Sequence, residues 1–96
     1  MLIKAGVDIS RLERNTRRSL YPVALIFSDE GELFIITSTY EGNHGEGSLH
    51  YAHQAYDVRL PPRVQLRLYA KIREKLGPNF DVVMEGSHYH IEYDPK

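Results

Sequence analysis

Residues 55–78 change their hydrophobic period midway. From Ala55 to Leu60, apolar and polar side chains alternate, with Tyr56, Val58 and Leu60 on one side and Asp57 and Arg59 on the other. A period of two belongs to a strand with one buried face. From Val64 the period is four: Val64, Leu68, Ile72 and Leu76 form a single stripe that stops at Gly77-Pro78. Such a stripe is an amphipathic helix with a strong terminator. A one-sided strand and a one-sided helix must each cover an apolar surface. Their succession commits the chain to a sheet with helix packed on it.

The flanking segments extend this pattern. Residues 8–28 carry Ile9, Leu12, Leu20, Val23 and Phe27 at three- and four-residue steps and read as helix, with Asp8 or Ser10 as its cap. Pro22 predicts a kink or break near Tyr21. Leu33 to Tyr40 is β-branched and aromatic and reads as a strand buried on both faces. Glu41 to Gly47, with three glycines, reads as a loop. Pro61-Pro62 suits the first turn of the second helix. Asp81 to Met84 and Tyr89 to Tyr93 read as two further strands joined near Gly86-Ser87. The expected fold is therefore α+β: a small antiparallel sheet with two or three helices packed against one face. A chain of 96 residues has room for one core, so residues 1–96 are expected to form a single domain.

Composition narrows the function classes. Twelve basic residues face thirteen acidic ones, a net charge of −1, which lacks the basic footprint of a nucleic-acid binder and of a polybasic membrane anchor. There is no run of 18 apolar residues, so no membrane span is expected. The opening Met1–Gly6 does not read as a signal peptide. The expected location is the cytoplasm at synthesis. The absence of cysteine excludes disulfides, thiol nucleophiles and thiolate metal sites.

The chemistry must then rest on His, Asp and Glu. All five histidines fall in the stretch from His44 to His90. His88 and His90 are two apart on an expected strand and share a face. Asp57 is on another strand, and His50 lies on the glycine-rich segment before it. Two imidazoles and a carboxylate make an open zinc shell with water in the fourth position. Taken singly, each of these residues has an ordinary structural use, as a cap, an ion-pair partner or a solvated side chain. Arg63, Arg67, Lys71 and Lys75 recur along the second helix, as a solvated face or as a stripe for an acidic polymer. Tyr40, Tyr51 and Tyr93 could donate to an oxyanion, or simply pack in the core.

Ser48-Leu49-His50-Tyr51, then Ala55-x-Asp57, then Glu85…His88-x-His90 occur in this order. This succession resembles the zinc peptidase superfamily of D-alanyl-D-alanine carboxypeptidases and phage L-alanyl-D-glutamate endolysins, which includes the hedgehog amino-terminal signalling domain. The resemblance spans roughly residues 33–94. It implies a hedgehog/carboxypeptidase-like fold, with Zn²⁺ as cofactor held by His50, Asp57 and His90. It makes Glu85 the general base and gives His88 the attacking water or the oxyanion. An alternative alignment uses Glu85-x-x-His88 and makes His88 the ligand. His53 stands where the family has Gly and reads as a surface residue, or as an extra ligand. Glu41 stands where many of the peptidases carry a substrate-binding Arg.

The function that the resemblance implies is hydrolysis of amide bonds in peptidoglycan stem or cross-link peptides by metal-activated water, with action at the cell wall after release or as part of a phage particle. The substrate would be the only partner, with no nucleic acid, no membrane and a monomeric state. Two other readings stand beside it: a zinc-stabilised binding module without efficient catalysis, and a phage structural or tail-associated protein.

Overall fold

The structure, a computed structural model, describes residues 1–39 and 54–95. The sequence readings at Tyr40, Glu41, His44, Ser48, His50, Tyr51 and His53 lie outside the described residues. The element order is β1 (Leu2–Ile3), α1 (Arg14–Asp29), β2 (Ile35–Thr39), β3 (Ala55–Arg59), α2 (Gln65–Leu76), β4 (Phe80–Met84) and β5 (His88–Tyr93). The strands form one five-stranded sheet in the order β1-β2-β3-β5-β4.

The fold is α+β, but the sheet is mixed rather than purely antiparallel. β1 runs parallel to β2, whereas β2–β3, β3–β5 and β4–β5 are antiparallel. β1 has only two residues and is held by Leu2 N donating to the Phe34 carbonyl (2.8 Å) and Lys4 N to that of Ile36 (2.9 Å). β5 lies between β3 and β4, so His90 faces Asp57 on one side and Val83 on the other.

Strand alternation sorts the side chains as the sequence predicts. Ile36, Tyr56, Val58, Val82, Tyr89 and Ile91 are buried with Leu20, Val23 and Phe27 of α1 and Leu68 and Ile72 of α2 in one hydrophobic cluster. Both helices therefore cover the same face. Phe27 sets its ring edge-on to Phe34 (5.3 Å) and Tyr89 (6.1 Å). Two hydroxyls are satisfied in this layer: Tyr56 against Ser19 Oγ at 2.7 Å, and Tyr89 donating to the Gln65 carbonyl at 2.6 Å. Burial pushes the Tyr89 phenol up to about 12.

Several expected boundaries move, each for a local reason. α1 begins at Arg14, not near residue 8, because the Glu13 carboxylate caps it by accepting from Asn15 N (2.9 Å) and Thr16 N (3.3 Å). Asp8 instead accepts from Ser10 N (2.9 Å) in an exposed turn. Pro22 sits inside α1 without ending it. The N–H it lacks would have served the Arg18 carbonyl, and Arg18 is on the solvent side. β2 is buried on one face only: Ile36 is fully buried, while neighbouring Leu33 is largely exposed.

α2 starts after Pro61-Pro62, not on them. A residue preceding proline is steered away from helical geometry. The turn into α2 is made by Val64 at φ 53°, and Gln65 Nε2 reaches back to the Pro61 carbonyl (2.8 Å). At the other end Gly77 takes φ 78°, as the stop signal predicts. The basic stripe of α2 is a clasp: Arg67 and Lys71 both bond Glu30, and Arg63 bonds Glu32. Among the described residues, no helix is long and apolar enough to cross a membrane.

Candidate functional site

The face of the sheet opposite the helices carries a line of polar side chains. It follows from the same alternation that builds the core. With Tyr56 and Val58 turned to the helices, Asp57 is turned away. With Tyr89 and Ile91 turned inward, His88, His90 and Glu92 are turned outward. The β3–β5 register then sets Asp57 opposite His90 and Arg59 opposite His88.

Asp57 is the centre of the group. His90 Nδ1 lies 2.9 Å from its Oδ1, and His88 Nε2 lies 3.4 Å from its Oδ2. The far nitrogen of each ring is also engaged. His90 Nε2 is 3.0 Å from Glu92 Oε1, and His88 Nδ1 is 3.0 Å from Ser87 Oγ. The side chains of Asp57, His90 and Glu92 are 8%, 13% and 16% exposed, so these contacts are only weakly screened. Burial alone would lower the His90 pKa. The hydrogen bonds from Asp57 and Glu92, together with their charges, outweigh it and hold the imidazole above its ordinary value. His90 is thus bracketed by two carboxylates, one at each ring nitrogen.

Of the five site residues expected from sequence, the structure brings three together: Asp57, His88 and His90. His50 is outside the described residues. Glu85 follows β4 and is exposed. Its backbone N donates to the His88 carbonyl (2.8 Å), but among the described residues its carboxylate forms no hydrogen bond or ion pair. Tyr93 does not approach the imidazoles. It packs on Phe80 (5.2 Å between rings) on the helix side of the sheet.

Glu92 is the partner that the sequence reading missed. The signal was available: His88, His90 and Glu92 are the alternate residues of one strand. Glu92 also connects to a second group. Among the described residues, the one set of three with ligand atoms all within 4.8 Å of one another is Asp81, Glu92 and Asp94, a triad that could bind a metal. Asp57, His88 and His90 do not form such a closed set. Oxygen-only donors suit hard cations, whereas an Asp–His donor set suits zinc.

As arranged, the polar line sets two imidazoles against one carboxylate and can hold a proton beside Asp57. Comparison with family profiles, with curated proteins and with solved structures gave no match.

Proposed function

We propose that this chain is a zinc-dependent hydrolase of the D-alanyl-D-alanine carboxypeptidase and hedgehog kind, acting on amide bonds of peptidoglycan peptides. One observation carries the reading: Asp57 is approached by two imidazoles whose far nitrogens are both hydrogen-bonded. Metal-binding histidines are oriented in this way by an outer partner. The donor types fit zinc, and the 2.9 Å hydrogen bond between Asp57 Oδ1 and His90 Nδ1 would have to open to about 3.3–3.4 Å, the edge of a tetrahedron with bonds of about 2.0–2.1 Å, to admit the ion.

In this proposal Asp57 and His90 hold the metal, and the resemblance adds His50. A bound zinc would supply a water acidified towards a pKa of about 7. His88, on the same strand face, would be the hydrogen-bond partner of that water or of the oxyanion. Glu85 would be the general base, and the acid towards the departing amine. The peptide substrate rests on the resemblance alone.

The test is metal analysis of the purified protein, with amine release measured from isolated peptidoglycan. Stoichiometric zinc with release, and a Glu85→Ala variant that keeps zinc but loses turnover, is the expected result. Bound zinc with no release from wild type removes the enzyme reading.

The exposed position of Glu85, with its carboxylate unattached to Asp57 or either imidazole, favours a second reading. This is a zinc-stabilised binding module in which the metal contributes folding free energy. A large fall in Tm on chelation, without turnover of any stem peptide, would select it.

A further inference from the structure

We infer that the outer ridge of α1 is a docking surface for an anionic lipid bilayer: Arg14, Arg17 and Arg18 meet the headgroups, and Tyr21 and Leu25 sit at the boundary with the acyl chains. None of these residues belongs to the proposed zinc site, and the docking does not depend on it.

The ridge follows from the helical period. Arg14, Arg18, Tyr21 and Leu25 are spaced by four, three and four residues, so they share one face of α1. At about 100° per residue, that face lies opposite the buried Leu20, Val23 and Phe27. Tyr21 is 69% exposed and Leu25 45%. Arg14, Arg17 and Arg18 are exposed as well, and so is Arg11 in the turn before the helix.

These arginines stand where helix electrostatics disfavours them. Arg14 and Arg17 occupy the first turn of α1, at the positive end of its dipole, and that turn holds no acidic residue. Arg14 repels Arg17 and Arg18, three and four positions on. Among the described residues none of Arg11, Arg14, Arg17 and Arg18 forms an ion pair, and their one hydrogen bond is a long contact from Arg17 Nη1 to the Ser10 carbonyl (3.5 Å). The neighbouring carboxylates are used locally, Asp8 by Ser10 N and Glu13 by the cap of α1. α2 is built the other way. Its Arg67 and Lys71 bond Glu30, and its Arg73 and Lys75 stand in the last turn, where the dipole favours cations. The basic end of α1 therefore costs the free protein stability, and an anionic partner offsets that cost.

Shape and charge select the partner. The ridge faces away from the sheet and is convex, so it meets a plane, whereas single-stranded nucleic acid is tracked by a groove. A cluster of four arginines on an amphipathic helix suits anionic headgroups. Tyrosine and leucine beside them are residue types that settle between headgroups and acyl chains. The opposite side of the molecule carries the carboxylates of Asp57, Asp81 and Glu92, which an anionic surface repels. The protein then lies with α1 on the bilayer and the polar line turned away from it. The net charge of −1 averages over these two sides, which is why composition alone argues against a membrane partner.

The full chain is floated with phosphatidylcholine vesicles containing about 30% phosphatidylglycerol, and with phosphatidylcholine vesicles alone, at about 0.05 M and about 0.5 M salt. Wild type should float with the anionic vesicles at low salt, stay behind with the neutral ones, and lose most of its binding at high salt. Arg14→Glu/Arg18→Glu should weaken binding about tenfold or more. Tyr21→Ala/Leu25→Ser should weaken it several-fold. Arg73→Glu/Lys75→Glu on α2 changes the net charge equally and should stay within about twofold of wild type. Thermal unfolding adds a readout that a structural role would move in the opposite direction. Arg14→Glu/Arg18→Glu should raise Tm, because it sets carboxylates at the positive end of α1, whereas the α2 control should lower it. Arg14→Gln/Arg18→Gln repeats the binding comparison without charge reversal.

Wild type that does not float with anionic vesicles at low salt overturns the inference. Equal weakening by the α1 and α2 charge reversals makes net charge the cause and overturns it too, as does binding indifferent to Tyr21→Ala/Leu25→Ser. A fall in Tm for Arg14→Glu/Arg18→Glu gives the arginines a structural role instead. A single-stranded RNA oligomer that displaces wild type from the vesicles, with no effect on the α1 reversal, reassigns the ridge to nucleic acid.

Discussion

Tyr56 is the residue beside Asp57, and its hydroxyl fastens the strand beneath the site to α1. Both Tyr56 and Ser19 are buried, at 0% and 3% exposure. Ser19 Oγ donates to the Thr16 carbonyl at 2.6 Å, so its proton is committed, and Tyr56 must be the donor in the 2.7 Å contact between them. The two deletions are therefore unequal. Tyr56→Phe removes the donor and leaves Ser19 bonded to Thr16, at a cost of about 1 kcal/mol. Ser19→Ala leaves a phenolic O–H buried without its acceptor, at about 1–3 kcal/mol. In the double variant no orphaned donor remains, so the combined loss should be smaller than the sum of the two. For a chain of this size each kcal/mol is worth about 4–8 °C in Tm. Urea and thermal unfolding of the four proteins, in chelator to exclude metal effects, measures the cycle. Strictly additive losses, or a Ser19→Ala variant no less stable than Tyr56→Phe, would refute the donor assignment.

Three further expectations concern the site and its frame. In metal-free protein the raised His90 pKa contributes stability that is full below the unfolded value of about 6.5 and is lost as pH rises through the higher folded value. The stability difference between wild type and His90→Asn should therefore shrink from about pH 6.5 upward, and a difference that grows with pH contradicts the raised pKa. Gly77→Ala should cost about 1–3 kcal/mol through backbone strain alone, since φ 78°, ψ −169° is glycine territory and nothing lies within 4 Å of the added Cβ. Gly86→Ala, also uncrowded and not at positive φ, should be near neutral, and equal losses in unfolding experiments would remove the strain argument. Glu30→Gln, which releases Arg67 and Lys71, should destabilise less at about 1 M salt than at low salt, because these pairs are exposed on the basic side. A salt-independent loss would mean that the clasp acts through packing.

How far the sequence could be read depended on whether a feature was local. The alternation of Tyr56, Asp57, Val58 and Arg59 told which way Asp57 points, and the His88–His90 spacing put both rings on one face. Both follow from a period of two and need no partner. The stripe through Leu68 and Ile72 to Gly77 was equally plain. Other features depended on competition or on distance. Asp8, Ser10 and Glu13 are all plausible caps near the start of α1, and only the built turn shows that Glu13 wins. β1 is too short for any period, and it exists because β2 offers an edge to Leu2 and Ile3. The pairing of Asp57 with His90 joins residues 33 apart across α2, and no sequence pattern encodes that register. Glu92 escaped for a different reason: a His-x-His motif draws the eye to its own two residues, although the strand continues past it.

Core and polar line are interleaved on the same strands, residue by residue. A slip of β5 by a single position against its neighbours would turn His88, His90 and Glu92 towards the apolar underside of α1 and α2, and leave Tyr89 and Ile91 facing water. No half-correct pairing can keep one property and forfeit the other. The contact between Asp57 and His90 therefore forms only where the hydrophobic interior has assembled in the same register, so the one reports on the other.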